Sequence, residues 1–196
     1  MTAPGHILLA TAAVGIVEYI FHIPVNVYFL IGVTLGAVLP DIDEPKSLIG
    51  RKLAPLAFML RLFNLKHRTL SHSIIFALLF LIPGLFLPYP YNAIVLGIGT
   101  GAVLHCVGDL LTISGLKYFL YPLKTELHLL PEKMRFRTGG LVEQVVILGL
   151  VGINYIIYKQ LNLINVLGNF HGTALHLPYV LKTGYNYFMH LLPKHS

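Results

Sequence analysis

The sequence predicts an all-α, polytopic membrane protein of about five apolar helices plus interfacial helices, forming a single domain over residues 1–196. Three observations predict it. Hydrophobic residues make up 56% of the 196-residue chain and charged residues only 11%, where a soluble domain carries about 25% charged residues. The mean hydropathy is +0.74. The apolar residues come in long runs, and the basic residues gather in two loops between them. Polytopic helices are the expected answer, because a backbone in hydrocarbon must satisfy its own hydrogen bonds.

The first run, 6–21, follows a start with no basic region and no small-residue cleavage site, so it reads as a retained helix rather than a removed signal peptide. The second, 25–39, is bounded by Pro24 and Pro40, which suit helix edges. A basic stretch from 41 to 71 follows, and within it 54–65 mixes Leu, Phe and Met with Arg61 as an interfacial helix would. The third run, 72–87, contains Pro83 as a point of kinking, and Pro88-Tyr89-Pro90-Tyr91 forms a tight exit. The fourth occupies 92–113. A second basic loop reaches Gly140, the fifth run spans 141–161, and 172–192 is a weakly periodic candidate for a further helix. Runs two and three are short for a span of about 20 residues. Gly32-x-x-x-Gly36 and Gly97-x-x-x-Gly101 have the small-residue spacing that lets membrane helices approach closely.

Lysine and arginine set the orientation. Loop 41–68 holds Lys46, Arg51, Lys52, Arg61, Lys66 and Arg68, and loop 114–140 holds Lys117, Lys124, Lys133, Arg135 and Arg137, whereas turns 22–25 and 88–91 hold none. If the helices cross alternately, both basic loops and the first residues share the cytoplasmic side. The formal charge of +6 then faces anionic lipid headgroups rather than nucleic acid. The single cysteine, Cys106, excludes an intramolecular disulfide.

The same topology gathers the ionisable residues. His6 opens the first helix, Asp41 and Asp43 follow the second, and His67 and His72 precede the third. His105 and Asp109 end the fourth, and Glu143 begins the fifth, so all eight lie at one membrane level. Carboxylates and imidazoles are costly in apolar surroundings, and metal binding is the commonest reason to collect them there. Mixed oxygen and nitrogen donors suit zinc first, with manganese or iron as alternatives, in one to three ions. Four residues apart on a helix, His105 and Asp109 point about 40° from one another and can share an ion. Asp41 or Asp43 is placed to bridge two ions, and His67 is expected in the loop with Thr69 or Ser71 as helix cap. Asp41, Asp43 and Glu143 are candidate general bases where they are not fully committed as ligands. Arg68 is a candidate for bidentate binding of phosphate. Glu18 and His22, at the other end of the first helix, are expected to pair or to meet the outer interface.

His6, Leu39-Pro40-Asp41-Ile42-Asp43, His67-Arg68-x-x-x-His72-Ser73, Gly101-x-x-x-His105-x-x-x-Asp109 with Thr112 and Gly115, and the Arg137, Gly139, Gly140, Glu143 segment together resemble the membrane-bound metal-dependent hydrolase family. The resemblance covers about residues 6–150. This chain departs at Glu44-Pro45, where family members often carry His-Pro. The donor order is also similar, more loosely, to the helical zinc-dependent phospholipase C fold. These likenesses imply a metal-dependent hydrolase at the inner membrane, its active site facing the cytoplasm. They favour a phosphoester of a membrane lipid or another amphiphile as substrate. The alternatives are a divalent metal-ion transporter and a structural membrane protein whose metal staples helices together. The oligomeric state is left open.

Overall fold

A computed structural model describes residues 1–23, 25–43 and 70–161. The described residues form five α-helices: α1 (Ala3–Phe21), α2 (Val27–Gly36), α3 (Ile74–Gly84), α4 (Tyr91–Leu110) and α5 (Leu141–Gln160). Short 3-10 helices occupy Leu39–Asp43 and Glu132–Met134, and no strand is formed among the described residues beyond isolated bridges. The expected fold class is the observed one. α1, α4 and α5 are long and apolar enough to cross a membrane. The shorter α2 and α3, of 10 and 11 residues, reach about 15–17 Å at 1.5 Å per residue. The expected interfacial helix at 54–65, residues 67 and 68, and the candidate tail helix at 172–192 lie outside the described residues.

Local chemistry explains the helix ends. Pro4 stands in the first turn of α1, where its missing N–H costs nothing. The Asn26 side chain caps α2 by accepting from Phe29 N at 2.9 Å. The α3 cap is Ser73, not Ser71: its hydroxyl accepts from Phe76 N at 3.4 Å, so the helix begins at Ile74, after His72 rather than with it. Pro83 lies in the last turn of α3, where it ends the helix instead of kinking a longer one. Gly139, with φ of 78°, and Gly140 turn the chain into α5. Glu143 in the first turn reaches back to accept from Gly139 N at 2.5 Å, in the manner of a capping box.

Packing centres on α4. α2 lies on it through both glycine pairs. A methyl group added at Gly32 or Gly36 would run into the carbonyl of Ile94 or Ile98, and one at Gly97 or Gly101 into the carbonyl of Phe29 or Val33. The two glycine motifs therefore face each other across one seam, with the backbones in contact. α3 also packs on α4, with Leu81 over Gly99. α5 packs on α1, and the two run in the same direction, since Gly5 meets Glu143 and Ile147 while Gly15 meets Ile157 and Tyr158. A polar clamp joins this pair: Thr11 Oγ1 meets Asn154 Oδ1 at 2.9 Å, Asn154 Nδ2 donates to Leu8 O at 2.9 Å, and Tyr158 donates to Thr11 O at 3.0 Å.

Segment 111–140 is a built cap rather than a loose basic loop. Thr112 bridges to Phe136 and Leu116 to Leu127, Leu116 is buried, and Phe119 O accepts from Ile74 N at the start of α3. The cap covers the end of the bundle where α3 begins and α4 ends.

Candidate metal centre

Five of the eight predicted donors converge at that end: His6, Asp41, His72, His105 and Asp109. His105 and Asp109 share a face of the last turns of α4. The glycine seam brings the end of α2 so near that Ala37 O lies 2.7 Å from His105 Nδ1. A carbonyl oxygen only accepts, so Nδ1 carries the ring proton and Nε2 presents its lone pair inward. His72, in the turn before α3, has Nδ1 3.0 Å from Ser71 Oγ. Its Nε2 lies 3.2 Å from His105 Nε2.

Two carboxylates complete the group. Asp41 Oδ1, from the 3-10 turn after α2, lies 3.4 Å from His72 Nε2 and 3.8 Å from His105 Nε2. Asp109 Oδ2 lies 3.7 Å and 3.8 Å from the same two nitrogens. A tetrahedral ion with bonds of 2.0–2.1 Å holds its ligand atoms about 3.3–3.4 Å apart. The separation of the two nitrogens and the distances from each of them to the two carboxylates, 3.2–3.8 Å, lie close to that spacing.

A second group meets the first at Asp109, whose Oδ1 lies 3.3 Å from His6 Nε2. The amino group of Met1 also reaches Oδ1. The His6 ring stacks on His105 with centroids 3.7 Å apart and planes at 14°. It has room because residue 108 is glycine, where a methyl group would stand 2.9 Å from His6 Nδ1. His6, His105 and Asp109 form one set able to hold a cation, and Asp41, His72 and His105 another. Both ring nitrogens of His6 are buried without a hydrogen bond among the described residues, which in a folded protein calls for an ion or other partner. Among the described residues, the carboxylate facing both groups is Asp109, while Asp41 faces one.

Burial sharpens the picture. His6, His72, His105 and Asp109 are 0–1% exposed, whereas the Asp41 side chain is 21% exposed. Asp41 lies beyond the helix spans. Burial works to raise its carboxyl pKa, but the His72 hydrogen bond and the nearby His105 and His72 rings outweigh this and bring it down to about 2.

Glu143 is fully buried but stands in another network. Its oxygens accept from Thr2 N at 2.6 Å, Thr2 Oγ1 at 3.0 Å and Gly139 N at 2.5 Å, pinning the start of α1 to the start of α5. His67, Arg68 and the Asp43 side chain lie outside the described residues. Glu18 does not pair with His22 among the described residues: its Oε1 accepts from Val25 N at 3.2 Å. His22 is the left-handed residue ending α1, with φ of 53°. Cys106 is buried beside His105. Gly108, the Ala37 carbonyl and Ser71 are site-forming groups that residue spacing alone did not mark.

Comparison with known proteins fits this membrane architecture. The chain is 31% identical over 152 residues to the uncharacterised protein YvsG of Bacillus subtilis (strain 168), covering 76% of this chain and 89% of that one. It is 33% identical over 158 residues to the inner membrane protein YdjM of Escherichia coli (strain K12), covering 74% of this chain and 72% of that one. The protein of the same name from Shigella flexneri gives the same figures. No solved structure matches the chain. The family described as YdjM inner membrane protein matches residues 1–192, and the chain, with three helices among the described residues long and apolar enough to cross a membrane, belongs to that family of inner-membrane proteins.

Proposed function

We propose that the protein is a membrane-embedded, metal-dependent hydrolase. Its principal ion, zinc before manganese or iron, would be held by Asp41, His72, His105 and Asp109. His6 and the second oxygen of Asp109 offer a further position. The observation that carries this reading is the meeting of two imidazole Nε2 atoms and two carboxylate oxygens at 3.2–3.8 Å, drawn from three separate segments of the chain.

Catalysis is favoured over stapling by the asymmetry of burial. A purely structural site closes around its ion, whereas a catalytic one leaves a position open. Here the open side is at Asp41, the one partly exposed donor. When bound, a divalent ion supplies Lewis acidity toward a phosphoryl or carbonyl oxygen and makes water a nucleophile near neutral pH. Asp41 lines the entrance, where an oxygen not committed to the ion would orient an incoming water. The fixed rings of His72 and His105 hold their nitrogens still as substrate charge develops. Arg68 and the basic loops would draw a phosphate group to the rim, and Glu143 holds α1, and so His6, at the level of the cluster. The site sits where α2 and α4 end, at headgroup depth with the basic loops. An amphiphilic phosphoester, such as a lipid, is therefore the substrate class, approached from the cytoplasmic face.

Transport is less well supported. A cavity of about 390 Å³ in the apolar part of the bundle is bordered by Ala13, Val14, Phe29, Leu81, Leu104 and one hydroxyl, Thr100. The Thr100 hydroxyl is already bonded to Leu96 O. No charged group lines the cavity to carry an ion inward.

Metal analysis of purified protein tests the reading. The wild type should hold zinc, manganese or iron, and His105→Ala and Asp109→Ala should hold none. Lipid phosphoesters should be hydrolysed only by the wild type. Equal metal in all three proteins would sink the assignment.

A further inference from the structure

We infer that Ser71 is a positioning residue of the metal centre, matched on the other imidazole by the main-chain carbonyl of Ala37, and that Gly101 sets the reach of that carbonyl. The inference rests on the metal-centre reading and extends it to groups that would touch no ion. An imidazole ligates through one nitrogen only when the proton is on the other, so an acceptor must wait behind each ring. Behind His105 that acceptor is Ala37 O, 2.7 Å from Nδ1. Behind His72 it is Ser71 Oγ, 3.0 Å from Nδ1.

The two rings thus reach the same state by different routes, one from a side chain and one from the backbone. Both arrangements turn Nε2 toward the common point, where the two nitrogens stand 3.2 Å apart. The capping of α3 falls to Ser73, two residues on, whose hydroxyl accepts from Phe76 N and donates to Leu70 O at 2.7 Å. The Ala37 carbonyl reaches His105 because Gly101 lets the end of α2 sit against α4. A methyl group at residue 101 would stand 2.7 Å from Ala37 N and 2.9 Å from Gly36 C. It would push away the turn that carries the acceptor.

The test is zinc affinity of the full chain in detergent, measured by competition with a chromophoric chelator. Ser71→Ala should weaken zinc binding by about 10- to 100-fold, the usual cost of losing such a partner. Ser71→Thr should restore affinity to near the wild-type value, and Gly101→Ala should weaken it as Ser71→Ala does. Ser73→Ala serves as the control: it should lower the melting temperature of the metal-free protein while leaving zinc affinity unchanged. Wild-type affinity in Ser71→Ala, or no recovery in Ser71→Thr, would overturn the positioning role while leaving the metal centre intact. A wild-type protein that binds no zinc, manganese or iron would overturn the centre itself, and the two failures are distinguishable.

Discussion

Asp41 and Asp109 are both carboxylates of one cluster, yet their surroundings give them different work. Asp109 is buried at the end of α4 and offers one oxygen to His6 and the other to His72 and His105, whereas Asp41 sits at the rim. Asp109→Asn should therefore lose more metal per protein than Asp41→Asn, as read by elemental analysis. The pH dependence has a definite sign. Protons compete with the cation for the donor atoms, so metal retention should fall as pH is lowered from about 7.5 to about 3. Asp41, with its pKa near 2, stays largely ionised throughout that interval and adds little to the slope. Zinc retention after equilibration at several pH values checks this, and a flat profile would contradict histidine ligation. The clustering of His6, Asp41, His72, His105 and Asp109 was legible in sequence because ionisable side chains stand out in apolar runs, whereas Glu143, named with them, stands in another network. The acceptor behind His105 was not legible, because a main-chain carbonyl at Ala37 has no residue-type signature. The expected cap was Thr69 or Ser71 and the observed one is Ser73, since serine and threonine both cap well and only the backbone settles where the helix begins.

Between elements, close approach and polar clamping hold the helices in register. The α2–α4 seam places backbone against backbone, so Gly97→Val should cost about 1–3 kcal/mol or more through overpacking and lower the thermal midpoint in detergent. The α1–α5 clamp acts through hydrogen bonds in an apolar setting, where such bonds are worth about 0.6 kcal/mol on average. Asn154→Leu should thus be milder than Gly97→Val in the same melting assay, and the reverse order would count against both assignments. Each Gly-x-x-x-Gly spacing was visible in the sequence, but which helices the two motifs would join was not. Pairing depends on helix crossing, which depends in turn on contacts distant in the chain. Glu143 was visible as an acid at a helix start. Its bonds to Thr2 were not, because they require α1 and α5 to lie side by side.

Across the described residues, the five clustered ionisable side chains, the ends of α2 and α4, the start of α3 and the ordered segment 111–140 fall at one end of the bundle, the end that the lysine and arginine counts assign to the cytoplasm. The orientation of that end is open to a labelling experiment. A Lys133→Cys variant should react with a membrane-impermeant thiol reagent only after the cytoplasmic face is opened, and Tyr91→Cys should react from the outer face of spheroplasts. Cys106 is buried and should give little background. Reversed labelling would invert the topology drawn from lysine and arginine counts. The five described helices were legible as apolar runs, whereas the ordered cap at 111–140 was hidden, because its bridges join residues with no strand-like alternation.

The donors extend from residue 6 to residue 109, and no contiguous piece of the chain carries a complete set. If the cluster holds an ion as proposed, a nascent protein emerging from the insertion machinery could not acquire it before α4 has reached the bilayer. Metal uptake would then be a late step of biogenesis, and bound metal a mark of a correctly assembled bundle.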